Sequence, residues 1–324
     1  MKAVLCEELG PPSSLVVRDL PDPEPRAGEV VVEIAAAALN FFDTLIIEGK
    51  YQYRPEPPFS PGAEFAGRVA ALGAGVTGFA VGERVVGYSG WGACREKIAV
   101  PATNLVHVPE DVTFETAAGL TVTYGTTIHG LVDRAQLKAG ETVLVLGAAG
   151  GVGIAAVEIA KALGARVIAA ASSPEKLTFC AARGADEGID YKAEDLRARL
   201  RELCPDGVDV VYDPVGGPYA EPALRALGWR GRYLVIGFTA GEIPRIPLNL
   251  VLLKGCDVRG VFWGRFIELE PDRHAEHMKR LLGWVAEGKI SVPIQARYRL
   301  DETPEALVEI AERRVQGKIV VGTD

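Results

Sequence analysis

The sequence lacks the cysteine pairs and long apolar runs that mark secreted and membrane proteins. Its five cysteines are an odd number, lie far apart and include no C-x-x-C pair, so neither a disulfide framework nor a structural zinc site is predicted. No basic segment followed by an apolar run opens the chain, which argues against secretion. Charged residues such as Glu158 and Lys161 interrupt the apolar runs well short of a membrane span. We therefore expect a soluble, cytoplasmic protein without a membrane partner.

Positive charge is also scarce. The 324 residues include 35 Lys and Arg against 43 Asp and Glu, which gives a formal net charge of −8. A broad nucleic-acid interface needs clustered Lys and Arg, and here these residues are spread along the chain. The sequence therefore predicts no nucleic-acid partner.

Histidine is rare, and the four histidines do not suggest a metal site. His107 and His129 have no acidic or cysteine companion near them in the sequence. His274 and His277 are spaced i, i+3 in a polar helical segment, where we expect a solvated face rather than a chelating pair. Because catalytic zinc typically takes three protein ligands, we predict no bound metal.

A glycine-rich turn carries the strongest functional signal. Residues 143–153 read Val-Leu-Val-Leu-Gly-Ala-Ala-Gly-Gly-Val-Gly, so a buried strand runs directly into glycines. A helical pattern follows over residues 154–163, and residues 166–171 form the next apolar strand. This order lets backbone N–H groups meet a pyrophosphate at the N-terminus of the helix. The sequence predicts a dinucleotide site here.

A second glycine cluster fits the strict G-x-G-x-x-G spacing better but lacks the required context. Gly73, Gly75 and Gly78 are followed by a short, glycine-broken segment that cannot form a helix. Because the motif needs a strand before it and a helix after it, residues 73–82 are predicted to be turns between strands.

The chain changes character near residue 116. The first part is rich in Val, Gly and Pro and suggests a small, partly open barrel. Its predicted strands are residues 2–6, 15–20, 29–35, 64–71 and 83–87. The second part alternates helices with apolar strands, as in a doubly wound sheet. These six strands are residues 143–146, 166–171, 187–191, 208–213, 232–236 and 257–262.

The end of the second of these six strands favours NADPH over NADH. NAD-selective sites usually place Asp or Glu there to bind the ribose 2′-hydroxyl, whereas this chain has Ser172 and Ser173. The two hydroxyls and Lys176 can donate to a 2′-phosphate, and Tyr191 at the end of the third strand can reach the same corner. The serines also fit an ordinary helix N-cap, so that interpretation stays open.

Taken together, the chain resembles the zinc-independent branch of the medium-chain dehydrogenase/reductase superfamily, in its quinone oxidoreductase (zeta-crystallin-like) group. The matching segments are residues 38–44, 49–51, 61–67, 122–126, 150–153, 211–217, 235–238 and 317–318. The resemblance implies an α/β fold with a GroES-like, partly open β-barrel domain and a doubly wound Rossmann domain, with the cofactor in the cleft between them. We expect the first domain over residues 1–120, completed by residues 265–324, and the second over residues 121–264.

The resemblance also implies particular cofactor contacts. Near the nicotinamide we expect Asn40 and Thr126, and at the pyrophosphate Gly150, Gly151 and Val152. At the 2′-phosphate we expect Ser172, Lys176 and Tyr191. Flanking the nicotinamide ribose we expect Gly237, Phe238, Phe262 and Trp263. Lys318 is expected to close over the cofactor, and Asp43 to brace the loop of Asn40.

Two further expectations concern metal and assembly. In zinc alcohol dehydrogenases the segment at residues 61–67 carries a His-Glu pair of metal ligands, whereas this chain has Ala63-Glu64, which agrees with the absence of a predicted metal. The strand at residues 257–262 is expected to leave an open sheet edge, and the resemblance implies a homodimer joined there. If residues 264–271 cover that edge, the protein is a monomer.

The expected activity is an NADPH-dependent reduction of quinones or activated C=C bonds in enones and alkenals. A nicotinamide donates hydride without a nucleophile or a metal when the acceptor is held against its ring. Asn40 and Tyr51 are the candidate catalytic residues, with Tyr51 either a donor to the product oxygen or an aromatic wall. One alternative is an enoyl thioester (acrylyl-CoA-type) reductase, for which Lys50, Arg54 and Arg265 are candidate contacts. Another is a non-catalytic nucleotide- or RNA-binding protein, which the acidic balance disfavours.

Overall fold

The computed structural model describes residues 1–323 and divides into two units. The first unit combines Met1–Val122 with the segment that begins at Glu270, and the second is Thr123–Leu269. The expected boundaries after residues 120 and 264 fall slightly earlier than these. None of the helices within residues 1–323 has both the length and the apolar character needed to cross a membrane.

Within residues 1–323, fifteen strands and ten α-helices form the two units. The strands are β1 (Lys2–Leu5), β2 (Val16–Asp19), β3 (Glu29–Leu39), β4 (Glu64–Leu72), β5 (Arg84–Tyr88), β6 (Lys97–Pro101), β7 (Leu105–His107), β8 (Thr142–Leu146), β9 (Arg166–Ala171), β10 (Glu187–Asp190), β11 (Val208–Asp213), β12 (Leu227–Val235), β13 (Asp257–Gly260), β14 (Ile294–Arg299) and β15 (Lys318–Gly322). The helices are α1 (Phe41–Ile47), α2 (Phe114–Ile128), α3 (Gly151–Ala162), α4 (Pro174–Ala181), α5 (Leu196–Leu203), α6 (Ala220–Arg225), α7 (Leu248–Lys254), α8 (Trp263–Leu269), α9 (Pro271–Ala286) and α10 (Thr303–Ala311).

The first unit is organised by the long strand β3. Sheet order is β14-β15-β3-β4-β5-β7, and β6 also pairs with β3. The C-terminal strand β15 lies antiparallel to β3, with Val320 opposite Ala38, so the end of the chain completes this unit. All five strands predicted in the first part of the chain are present, and residues 73–82 contain no strand or helix, as predicted. The prediction missed the short strands β6 and β7.

The second unit is a parallel sheet of six strands in the order β10-β9-β8-β11-β12-β13. Counted within the unit this is the order 3-2-1-4-5-6 of the Rossmann fold, so the expected doubly wound architecture is confirmed. The central strand β8 is apolar along most of its length because a parallel sheet is covered on both faces. Val143, Leu144, Val145 and Leu146 are all fully buried.

The edge strand β13 is shorter than the predicted strand at residues 257–262. The backbone N–H of Val261 still donates to the carbonyl of Val235 at 3.0 Å, but the chain then turns into α8 at Trp263. Phe262 is therefore outside the strand, and 51% of its surface is exposed.

The prediction for His274 and His277 was wrong, because both side chains are buried. They lie on α9 together with the buried residues Met278, Leu281 and Leu282. These positions follow the i, i+3, i+4 spacing of an apolar helix face, which places the two histidines on the stripe that packs inward.

Burial of His274 predicts a loss of stability in mild acid. Burial, with a smaller contribution from nearby His277, lowers the pKa of His274 to about 4, below its ordinary value of 6.5. The unfolded chain therefore binds a proton more readily than the folded one, and stability that is present above pH 6.5 is lost as the pH falls towards 4. The loss amounts to about 3 kcal/mol. We expect urea midpoints of His274→Gln to depend less on pH across this window.

The exposed His107 supplies the control for that experiment. Its side chain is 55% exposed, so His107→Gln is expected to keep the pH dependence of the wild-type protein. If the urea midpoints of wild type and His274→Gln depended equally on pH, the lowered pKa of His274 would not be the cause of the acid sensitivity.

Candidate functional site

The glycine turn after β8 has the geometry of a phosphate cradle. Gly147 adopts a φ of +58°, and Gly150 is the N-cap of α3. A Cβ atom on Gly153 would lie 2.2 Å from the carbonyl oxygen of Gly147, so only glycine fits there. Gly151 and Val152 open the helix, and N–H groups in a first helical turn have no acceptor within the helix. These donors suit a pyrophosphate.

The turn also lies at the topological switch point of the sheet. β8 pairs with β9 on one side and with β11 on the other, so the chain winds in opposite directions from this point. In open α/β sheets, ligands bind outside the carboxyl ends of the strands at such a point. The predicted pyrophosphate residues therefore occupy the expected place in the second unit.

The predicted 2′-phosphate residues lie where β9 ends and α4 begins. Lys176 Nζ donates to the hydroxyl of Ser172 at 3.2 Å, so the two predicted side chains are already in contact. Ser173 caps α4 by accepting from the backbone N–H of Lys176, which confirms the N-cap interpretation as well. Glu175, in the first turn of α4, is exposed, and a hydrogen bond with Ser173 lowers its pKa.

Tyr191 borders the same region from the end of β10. Its ring lies 4.4 Å from that of Tyr219, centroid to centroid, in a tilted arrangement. Its backbone N–H donates to the carbonyl of Ala171, which holds it beside the end of β9. Tyr191 therefore lies beside Ala171, the residue that precedes Ser172.

Asp213 organises the turns at the carboxyl ends of β11 and β12, a role that the sequence analysis missed. Its buried carboxylate accepts from the backbone N–H groups of Val215 and Gly216 at 2.7 and 2.8 Å, and from the hydroxyl of Tyr233. Burial raises the pKa of Asp213, and these donors oppose the increase. Its backbone carbonyl accepts from Gly237. The carboxylate fixes the loops that carry the predicted ribose contacts.

The predicted ribose contacts differ in accessibility. Phe238 and Phe262 are 39% and 51% exposed, so part of each residue faces solvent. Trp263 is buried, and its indole lies against α2, where a Cβ on Gly125 would be 3.0 Å from the ring. Thr126, the next residue of α2, is also buried. Trp263 therefore packs against the helix that carries Thr126.

In the first unit, Asn40 is held by two buried charged side chains. Its Nδ2 donates to Oε1 of Glu64 at 2.8 Å, and its Oδ1 accepts from Nζ of Lys318 at 2.6 Å. Lys318 Nζ also donates to Oε1 of Glu64 at 2.7 Å and to the carbonyl of Leu39 at 3.0 Å. The three donors of this ammonium are thereby used within the unit. Lys318 therefore holds the side chain of Asn40 in place. These contacts do not favour its predicted closure over a cofactor.

Asp43 braces the same loop, as expected. Its Oδ2 accepts from the backbone N–H of Asn40 at 2.7 Å, which ties the start of α1 to the end of β3. Burial raises the pKa of Asp43 to about 7; the Asn40 N–H and Lys318 oppose the increase, and Glu64 adds to it. The carboxyl group is 1% exposed and thus inaccessible to a substrate.

Tyr51 lies in an aromatic cluster of the first unit. Its ring stacks on Phe42 with centroids 5.2 Å apart, and Tyr53 is 5.9 Å away. Burial raises the pKa of Tyr51 to about 12, with smaller contributions from Tyr53 and Asp43. The phenol is therefore a neutral hydrogen-bond donor and a weak acid. This environment agrees with either of its two predicted roles.

The basic residues considered for a thioester substrate are largely engaged elsewhere. Lys50 forms an ion pair with Glu48 at 2.6 Å, and Arg265 forms one with Glu268 at 2.6 Å. Nε of Arg54 contacts the carbonyl of Tyr51 at 3.3 Å. The structure adds no support for a polyphosphate-binding rim made of these three side chains.

The expectation that His129 has no acidic neighbour was wrong. Its Nδ1 lies 2.8 Å from Oδ2 of Asp133, and its ring stacks on Phe266 at 3.9 Å. The signal in the sequence is the i, i+4 spacing, which brings side chains together on a helix. Residues His129–Arg134 continue α2 as a π-helix.

Two protein-family models match the chain. The first, an alcohol dehydrogenase GroES-like domain, matches residues 26–110, and the second, a zinc-binding dehydrogenase, matches residues 151–283. These matches confirm the GroES-like and Rossmann domains. In spite of the second description, no cluster of three or more His, Cys, Asp or Glu residues that could hold a metal was found among the residues that the structure describes.

Individual proteins are similar over nearly the whole chain. A quinone oxidoreductase-like protein 2 homolog of Nematostella vectensis is 38% identical over 99% of this chain and 89% of its own length. A quinone oxidoreductase of Pseudomonas aeruginosa is 37% identical, with 99% of each chain covered. The crystal structure of the Escherichia coli quinone oxidoreductase complexed with NADPH aligns with a TM-score of 0.92 at 31% identity, covering 99% of this chain and 100% of that one.

Proposed function

We propose a specific reaction for this chain, which belongs to the quinone oxidoreductase group of the medium-chain dehydrogenase/reductase superfamily and is an oxidoreductase. The reaction is reduction of a quinone, or of the activated C=C bond of an enone or alkenal, with NADPH as the reductant. The observation that carries the proposal is the pairing of the glycine cradle at Gly150 with the basic corner formed by Ser172 and Lys176. The NADPH complex of the similar Escherichia coli enzyme agrees with that choice of cofactor.

The second unit has the groups needed to hold NADPH. N–H groups of Gly151 and Val152 at the start of α3 would bind the pyrophosphate. Lys176 with Ser172 would bind the 2′-phosphate, since an ammonium and a hydroxyl both donate to its oxygens. When bound, NADPH supplies the hydride.

The first unit supplies the polar contact for the electrophile. Asn40 retains one Nδ2–H beyond the bond to Glu64, because no further acceptor for it is found within residues 1–323. We assign this donor to the carbonyl oxygen of a quinone or enone, on which negative charge develops during reduction. Tyr51 would either donate to the same oxygen or form an aromatic wall. With its pKa raised, the phenol orients the acceptor better than it protonates it.

The exposed apolar surface of the second unit supports a homodimer. Trp229, Leu248, Leu252 and Leu253 are each at least 73% exposed, and Val258 on the edge strand β13 is 45% exposed. The Trp229 ring packs over Gly255, the C-cap of α7, so it lies where the helix that carries the three leucines leads into β13. An open strand edge next to apolar surface favours pairing with a second copy.

The activity test is a steady-state assay of NADPH oxidation with quinones, alkenals and acyl-CoA esters. We expect turnover with quinones or alkenals. Turnover should persist after prolonged dialysis against a strong chelator, with less than stoichiometric zinc by elemental analysis, because the proposed contacts use only protein groups. Exclusive turnover of acyl-CoA esters, or a loss of activity that added zinc restores, would contradict the proposal.

Lys176→Ala tests the cofactor preference. Removing a charged hydrogen bond should weaken NADPH binding by roughly 1.5–3 kcal/mol and leave NADH binding nearly unchanged. Fluorescence titration with each cofactor measures both effects. Lys161→Ala, which removes a lysine that pairs with Asp186 instead, is the matched control. Equal weakening of NADPH and NADH would show that Lys176 does not recognise the 2′-phosphate.

Leu248→Glu/Leu252→Glu tests the dimer. These side chains are about 80% exposed in the protomer, so the charges should leave its fold intact and disrupt association. By sedimentation we expect a wild-type dimer and a monomeric variant. Val81→Glu, at an apolar residue that is 66% exposed in the first unit, should remain dimeric. A wild-type monomer at micromolar concentration would disprove the model.

A further inference from the structure

The buried pair of Glu64 and Lys318 lies directly behind the amide of Asn40. Glu64 is 0% exposed and Lys318 is 2% exposed, so both charged groups are buried away from solvent. Such a pair adds little stability compared with apolar residues of similar volume, since desolvation offsets the attraction between the charges. The pair therefore calls for an explanation other than stability.

The hydrogen bonds around the pair define one orientation of the Asn40 amide. The ammonium of Lys318 can only donate, so the amide atom at 2.6 Å must be the oxygen. The carboxylate of Glu64 can only accept, so the amide atom at 2.8 Å must be the nitrogen. A flipped amide would place an N–H against the ammonium and an oxygen against the carboxylate.

The pair also changes the strength of the amide as a donor. An ammonium at the amide oxygen draws electron density from the nitrogen, and hydrogen bonds in a chain polarise one another at low dielectric constant. The ammonium thereby strengthens the remaining N–H of Asn40 as a donor, and the Glu64 carboxylate on the other N–H opposes that effect. Oε2 of Glu64 is meanwhile held by the backbone N–H of Val122 at 2.5 Å, so the carboxylate cannot rotate freely.

We propose that Glu64 and Lys318 are positioning residues that orient and polarise Asn40 for hydrogen bonding to the oxygen of the electron-accepting substrate. This inference rests on the proposed function, in which Asn40 contacts that oxygen. Neither charged group touches the substrate. The fixed ammonium supplies positive polarisation through the amide, in place of direct contact between a cation and the substrate.

The principal variant is Glu64→Gln/Lys318→Met, which removes both charges and leaves neither one buried alone. We expect kcat to fall roughly 100- to 1,000-fold, as for loss of a donor to developing negative charge, while the Kd for NADPH stays within about threefold. Asn40→Ala should show a similar loss. The triple variant combines Asn40→Ala with Glu64→Gln/Lys318→Met. Because the pair acts through Asn40, its kcat should be no lower than that of Asn40→Ala alone.

Two further variants separate positioning from general damage to the fold. Glu115→Gln/Arg297→Met removes an ion pair of 2.9 Å from the same unit and should leave kcat unchanged. Lys318→Arg keeps the charge but cannot place a single nitrogen against the same three oxygens, so we expect a folded protein with reduced kcat. Multiplicative losses in the triple variant, or wild-type kcat in the principal variant, would overturn the proposal.

An NMR measurement tests the pair even if the proposed reaction is wrong. The side-chain amide signal of Asn40, identified by its loss in Asn40→Ala, should shift and exchange faster with solvent in the charge-free variant. An unchanged signal would overturn the positioning role whatever the enzyme reduces. If the signal changes but Asn40→Ala retains full turnover, the amide is oriented without a function in the reaction, which also overturns the proposal. Absence of turnover in the wild type, with the signal changed, would locate the failure in the proposed reaction.

Discussion

The ion pair between Glu64 and Lys318 joins parts of the chain that are 254 residues apart. Through it, β15 is attached to β4, and the same ammonium reaches the last residue of β3. Removal of one partner would leave the other charge buried, at a cost of about 3–5 kcal/mol. The orientation of Asn40 therefore depends on the pairing of the C-terminal strand with the sheet, which brings Lys318 to the amide oxygen.

The second unit depends on a different constraint, which is lack of space. Gly153 sits so close to the carbonyl of Gly147 that any side chain would force α3 away from β8. The same close packing brings the first turn of α3 to the switch point of the sheet, the position where open α/β sheets bind ligands. Asp213 fixes the neighbouring loop, because its carboxylate accepts hydrogen bonds from the backbone N–H groups of Val215 and Gly216. One unit uses buried charges for its site, and the other uses glycine and backbone donors.

These two solutions suit different tasks. A pyrophosphate is fully charged before and after reaction, so fixed backbone dipoles bind it equally well throughout. The oxygen of a quinone or enone gains charge only during reduction, and a donor that is already polarised needs no reorganisation when that happens. Asn40, backed by a fixed cation, has the properties of such a donor.

Local patterns in the sequence were sufficient to predict the glycine cradle, the Rossmann strands and the basic corner at Lys176. Each depends on residues that are adjacent in the chain, where strand, turn and helix signals lie within about 30 residues. Sequence alone was not sufficient for the partners of Asn40, because Glu64 and Lys318 become neighbours only through sheet pairing. The family resemblance implied that Lys318 closes over the cofactor, whereas its three donors are used within the first unit. Burial of His274 was also decided by tertiary packing: the stripe that it shares with Met278 and Leu281 marks one face of α9, but histidine by itself does not show how far along the helix that face is covered.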